Sequence, residues 1–110
     1  MIITVVGLGL IGGSFCKAIS EKTSHKCYGI DKNSDVINSA KNQGAIIDVA
    51  KDLSQSDVTI VCLYPEQTVE FIKSNQLKRM AKEYNVHFIF FPHRNMQKYL
   101  QFFPESNEYI

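Results

Sequence analysis

The chain is short of the features that would assign it to a membrane, a nucleic acid or an oxidising compartment. It has three cysteines, Cys16, Cys27 and Cys62, an odd number in apolar surroundings with no metal-ligand spacing. That reads as reduced core thiols of a cytoplasmic protein, without a disulfide framework or a metal site. Neither sign of charge dominates, since 12 Lys and Arg against 11 Asp and Glu leave a formal net charge of +1. There is no basic block, so neither a nucleic-acid surface nor an anionic membrane is expected as a partner. No apolar run approaches the roughly 20 residues of a membrane span. The opening lacks the basic segment of a signal peptide, and internal repeats and low-complexity stretches are missing too. Glycine is scarce, with six residues in all, yet four of the six fall between positions 7 and 13.

That concentration is the most informative feature present. Ile2-Ile3-Thr4-Val5-Val6 is an apolar run too brief for a helix and rich in β-branched residues, as expected of a buried strand. It ends in Gly7-Leu8-Gly9-Leu10-Ile11-Gly12, which fits G-x-G-x-x-G, and helical spacing follows. In a dinucleotide site each glycine has a physical task. Gly7 permits a tight strand-to-helix turn, Gly9 lets backbone approach a pyrophosphate, and Gly12 lets the helix pack closely on the sheet. The helix start then offers unpaired N–H groups and a partial positive charge to the phosphates. A second apolar run, Lys26-Cys27-Tyr28-Gly29-Ile30, ends in Asp31, nineteen residues past Gly12. A carboxylate at about that distance accepts hydrogen bonds from the adenosine ribose and repels a 2′-phosphate. The expected cofactor is therefore NAD, although Lys32 beside Asp31 leaves a cation within reach of a phosphate.

At 110 residues the chain amounts to one domain, too short for a cofactor domain plus a separate substrate domain. After the glycines, Ile11, Phe15, Ala18 and Ile19 suggest the sheet-facing stripe of the first helix. Asn33-Ser34-Asp35 caps a second helix carrying Val36, Ile37 and Ala40, and Gly44 suits its left-handed stop. Residues 45–49 read as a brief third strand, and 51–57 as a short helical or irregular crossing. Residues 58–63 form the clearest buried strand, with little alternation, as in a parallel strand covered on both faces. Tyr64-Pro65 then opens a helix with Val69 and Ile72. Leu77, Met80, Ala81 and Tyr84 mark an amphipathic helix, and 86–91 a fifth apolar run. The fold expected is α/β, a Rossmann-type doubly wound parallel sheet of about five strands in the order 3-2-1-4-5. Ligands of such sheets bind at the C-terminal strand ends where strand order reverses. Leu63, Tyr64 and Pro65 should thus face Gly7, Leu8, Gly9, Leu10, Ile11 and Gly12 across the cofactor, with Asp31 and Lys32 at the adenosine end.

Residues 7–14 (Gly-Leu-Gly-Leu-Ile-Gly-Gly-Ser) and 28–33 (Tyr-Gly-Ile-Asp-Lys-Asn) resemble the start of prephenate dehydrogenases. The likeness continues through Asp52-Leu53 and residues 57–65, so that it spans about residues 1–74. Arogenate dehydrogenases share the Leu-Ile-Gly-Gly-Ser segment, which leaves the choice between prephenate and arogenate open. The resemblance implies an NAD-dependent oxidative decarboxylation on the way to tyrosine. It also implies a histidine acting on the ring hydroxyl, an arginine holding the substrate carboxylate, and a helical dimerisation domain. The chain departs from that pattern after residue 74. Residues 86–91 run into Pro92-His93-Arg94, reversing the family's His-Pro order, and its helical domain has no counterpart. His93 and Arg94 have the right chemistry but match no motif, so no catalytic residue is assigned.

Two readings follow. The chain is the NAD-binding domain (1–91) of a prephenate dehydrogenase-like oxidoreductase, with a divergent tail (92–110). Alternatively, it is an NAD(H)-binding module or truncated remnant without chemistry of its own. Tyr99, Leu100, Phe102 and Phe103 in the tail are bulky enough to cover a sheet edge, or to mediate self-association or contact with a partner chain.

Overall fold

The first residues set the centre of the molecule. In the computed structural model, which describes residues 1–90 and the backbone of residues 108 and 109, strand β1 (Ile2–Val6) is buried over all but its first residue. It pairs in parallel with β2 (Lys26–Ile30) on one side and β3 (Val58–Val61) on the other. Strand β4 (His87–Phe90) extends the sheet beyond β3, and the two-residue β5 (Glu108–Tyr109) pairs with β4. Four parallel strands in the order β2-β1-β3-β4 thus make up the sheet of residues 1–90.

Alternating side chains of these strands enter two separate cores. Ile3, Val5, Cys27 and Ile60 pack with Cys16 and Ile19 of α1 (Leu10–Lys22) and with Val36, Ile37 and Ala40 of α2 (Ser34–Asn42). On the opposite face Val61, Phe88 and Phe90 meet Ile72 of α3 (Pro65–Ser74) and Leu77 of α4 (Leu77–Tyr84). Strands β1 and β3 are covered on both faces in this way, which is why they read as continuous apolar runs. Local signals end the helices where expected. The Asn33 side chain accepts from the amides of Asp35 and Val36 at the start of α2, and Gly44 lies at φ +73° beyond its end.

Three expectations are corrected. The sheet does not have five strands in the order 3-2-1-4-5, because residues 45–49 do not form a strand. The Ala45 and Ile46 amides turn back to the Ala40 carbonyl at the end of α2, and the Asp48 side chain accepts from its neighbour Val49. Residues 47–50 do lie along the outer edge of β2, where the Ile47 N–H donates to the Cys27 carbonyl, the Gly29 N–H to the Asp48 carbonyl and the Ala50 N–H to the Gly29 carbonyl. They form only one isolated bridge, Gly29 to Val49. The crossing to β3 then contains a single 3-10 turn, Leu53–Gln55.

The stripe of α1 is also rotated. Its buried residues are Gly12, Cys16 and Ile19, whereas Ile11 is 58% exposed and Ala18 lies on the outside. Contact between Gly12 and the turn at Gly7 fixes the helix in this rotation. Finally, Tyr84 closes the α4 stripe in sequence but is 47% exposed. The tail assignments, including His93, Arg94 and the aromatic residues 99–103, lie outside the described residues.

Candidate functional site

The C-terminal ends of β1 and β3 lie side by side, since Val6 is paired with Val61. Here the chain leaves β1 towards α1 and leaves β3 towards α3, on opposite faces of the sheet, and a cleft opens between them. Gly7 makes the exit from β1 with φ +89°, a left-handed conformation. A Cβ on it would lie 2.6 Å from the Cys62 carbonyl oxygen, so conformation and space both demand glycine. Gly12 is tighter still, as its Cβ would lie 1.7 Å from the Gly7 carbonyl oxygen. These two glycines are required by the protein's own packing.

Gly9 differs from both. A Cβ there would meet no protein atom within 4 Å, because the position faces the open cleft. Gly9 is also the N-cap of α1, with no side-chain capping bond and no acidic residue in the first turn. The helix therefore presents its free amides and the positive end of its dipole to the cleft.

The cleft is about 410 Å³, with Gly7, Gly9, Leu10, Ile11 and Gly12 on one wall and Cys62, Leu63 and Tyr64 on the other. Leu10 is 91% exposed and Tyr64 78%, and together with Ile11 they give the rim an apolar character. Asp31 closes one end. Its Oδ2 accepts from the Leu8 N–H at 2.8 Å and its Oδ1 from the Asn33 N–H at 2.9 Å. A carboxylate has about four acceptor positions, so both oxygens retain capacity while the two amides fix their direction. A second cavity of about 260 Å³ continues past Asp31, sharing Asp31, Leu63 and Gln67 with the first. It lies between Ile30 and Lys32 on one side and Glu70, Phe71 and Ser74 of α3 on the other.

The sequence-derived residues thus divide. Gly7, Gly9, Leu10, Ile11, Gly12, Leu63 and Tyr64 line the cleft, Asp31 lines both spaces, and Lys32 lines the second. Leu8 contributes its amide, while its side chain is buried in the core. Pro65 begins α3 and lines neither space. Residues on α3 went unnoticed in the sequence, although Gln67, Glu70, Phe71 and Ser74 recur at the spacing of one helix face. Cys62 also lines the cleft; burial pushes its thiol up to about 11, which leaves it protonated at neutral pH. Among the described residues no group of His, Cys, Asp or Glu could hold a metal ion, and no helix is long and apolar enough to cross a membrane.

No protein-family model and no curated protein sequence matches the chain. Solved structures do. A prephenate dehydrogenase from A. aeolicus, in complex with hydroxyphenyl propionate and NAD+, superposes with a TM-score of 0.77 at 19% identity, over 97% of this chain and 40% of that one. The arogenate dehydrogenase of Synechocystis gives 0.70 at 18% identity over 84% of this chain and 33% of its own. An imine reductase from Myxococcus stipitatus in complex with NAD+ gives 0.69 at 13% identity, over 98% of this chain and 38% of that one. The chain has the α/β fold that these enzymes contain, and it spans less than half the length of each.

Proposed function

We propose that this chain is the NAD-binding part of a prephenate dehydrogenase-like oxidoreductase. The observation that carries the reading is one continuous cleft in which the uncapped start of α1, the open face of Gly9 and the Asp31 carboxylate all meet. These residues fit the group. A pyrophosphate would rest on the α1 amides where Gly9 leaves room, and the adenosine ribose would donate its hydroxyls to Asp31. The bound cofactor would supply a hydride acceptor. Leu10, Ile11 and Tyr64 would shield the reacting end from water. The likeness of residues 7–14 and 28–33 to prephenate dehydrogenases, together with the shared fold, supports a substrate of the prephenate or arogenate class.

A second reading, an NAD(H)-binding module without chemistry of its own, has a specific observation in its favour. Catalysis at a ring hydroxyl needs a base within hydrogen-bond reach. Of the described titratable residues lining the cleft, Asp31 holds the loop through two backbone amides and Cys62 stays protonated. Titration of NAD+ and NADP+ against the intact chain and Asp31→Ala tests the shared claim. Preferential binding of NAD+, weakened by the substitution, is expected. Equal affinity for both nucleotides before and after it would remove Asp31 from the site. Turnover of prephenate with NAD+ by the chain alone would decide against the module.

A further inference from the structure

The cavity beyond Asp31 carries an unresolved chemical conflict. Asp31 favours a free ribose, whereas the Lys32 ammonium next to it would welcome a 2′-phosphate. We propose that Glu70 of α3 is a second specificity determinant, which sets the adenosine end of the site against a 2′-phosphate so that NAD is preferred to NADP despite Lys32. The inference rests on the dinucleotide reading above and names what selects within that site.

The argument begins with helix geometry. Gln67, Glu70, Phe71 and Ser74 stand three, four and seven residues apart, so they share one face of α3, and all four line this cavity. Val6, Ile30 and Phe71 offer apolar surface of the kind a purine base uses. The charged residues lining the cavity are Asp31, Lys32 and Glu70, two carboxylates against one ammonium. Lys32 and Glu70 are both exposed, and neither makes an ion pair among the described residues. Because both side chains line the same cavity, the Glu70 carboxylate competes with any incoming phosphate for the Lys32 ammonium. A phosphomonoester brings a charge of about −1.5 to −2, so it meets net repulsion, whereas the neutral ribose hydroxyls of NAD do not. Asp31 alone would leave Lys32 free to offset it.

The test is direct binding to the intact chain, by calorimetric titration of NAD+ and NADP+ at low and high ionic strength. The variants are Glu70→Gln, Glu70→Lys and Glu66→Gln, the last removing a charge from the same helix outside both cavities. Glu70→Gln is expected to lower the ratio of NAD to NADP affinity by about three- to tenfold at low salt. Glu70→Lys should lower it further, and salt should shrink both effects. Glu66→Gln should shift the ratio by less than about twofold. A ratio in Glu70→Gln within twofold of wild type, an equal shift in Glu66→Gln, or a wild type that prefers NADP would overturn the inference while leaving the dinucleotide site standing. A wild type that binds neither nucleotide would overturn both.

Discussion

Alanine substitutions at Gly9 and Gly12 should part company, although the two glycines belong to one motif. Gly12 is pressed against backbone. Its added methyl would lie 1.7 Å from the Gly7 carbonyl oxygen and 2.9 Å from the Gly7 carbonyl carbon. No rotamer change relieves a clash with main chain, so α1 must lift from β1 or the turn at Gly7 must open. Overpacking of a tight core costs about 1–3 kcal/mol, and a backbone partner puts this case at about 2–3. For a domain of this size that corresponds to a midpoint lower by about 10–20 °C. Gly9 has φ −69° and ψ −156°, a conformation open to alanine, and no heavy atom waits within 4 Å. Its loss as N-cap costs about 0.5–1 kcal/mol, and the stiffer unfolded chain returns about 0.4–1 kcal/mol. The two nearly cancel. Thermal unfolding followed by circular dichroism should therefore show Gly9→Ala near wild type and Gly12→Ala strongly destabilised. NAD+ titration should show at least about tenfold weaker binding by the stable Gly9→Ala, because its methyl takes the space of the pyrophosphate. A Gly9→Ala protein that binds like wild type, or melts as low as Gly12→Ala, would refute the reasoning.

Three further outcomes follow from the same structure. Thr59 is fully buried on β3, and its Oγ1 has no hydrogen-bond partner among the described residues. Thr59→Val, which keeps the shape and removes the stranded hydroxyl, should raise stability by about 1 kcal/mol in urea denaturation, and a loss would contradict this. Gln76 precedes α4 at φ +49°, a left-handed conformation that a side chain disfavours. Gln76→Gly should gain about 1 kcal/mol, whereas a net loss would show that the hydrogen bond its Oε1 accepts from Arg79 outweighs the backbone strain. Cys62 has its thiol pushed up to about 11 by burial, from an ordinary 9.0. The unfolded chain ionises first, so this contribution is intact below pH 9 and is lost as pH rises from 9 to 11. Cys62→Ala should flatten part of that decline, and alkylation of Cys62 at pH 8 should be about a hundredfold slower than that of an exposed thiol. Rates equal to those of a free thiol would show that the burial is wrong.

Where one local signal decides, the sequence was readable. The β-branched run of β1 and the stop at Gly44 depend on neighbours close in the chain, as does the Asn33 cap, and each lies where expected. The errors arose where a distant contact prevailed. Residues 45–49 have the composition of a strand, but the hydrogen bonds of Ala45 and Ile46 back to Ala40 leave only the end of the segment to follow β2, as an isolated bridge. The stripe of α1 has two acceptable rotations by apolar periodicity, and the need for Gly12 to touch Gly7 selects the one that turns Ile11 outwards. Leu8 carries no mark of its division, with its amide on Asp31 and its side chain in the core. The α3 wall was missed for a different reason. Its polar face looks like any solvated helix face until the sheet sets it opposite Asp31.

The most direct measurement is a crystal structure of the chain grown with NAD+. The account predicts the pyrophosphate against the amides at the start of α1, over Gly9, with the adenosine ribose on Asp31 and the base beside Phe71. A cleft closed by the chain's own side chains, or nucleotide density elsewhere on the molecule, would contradict it.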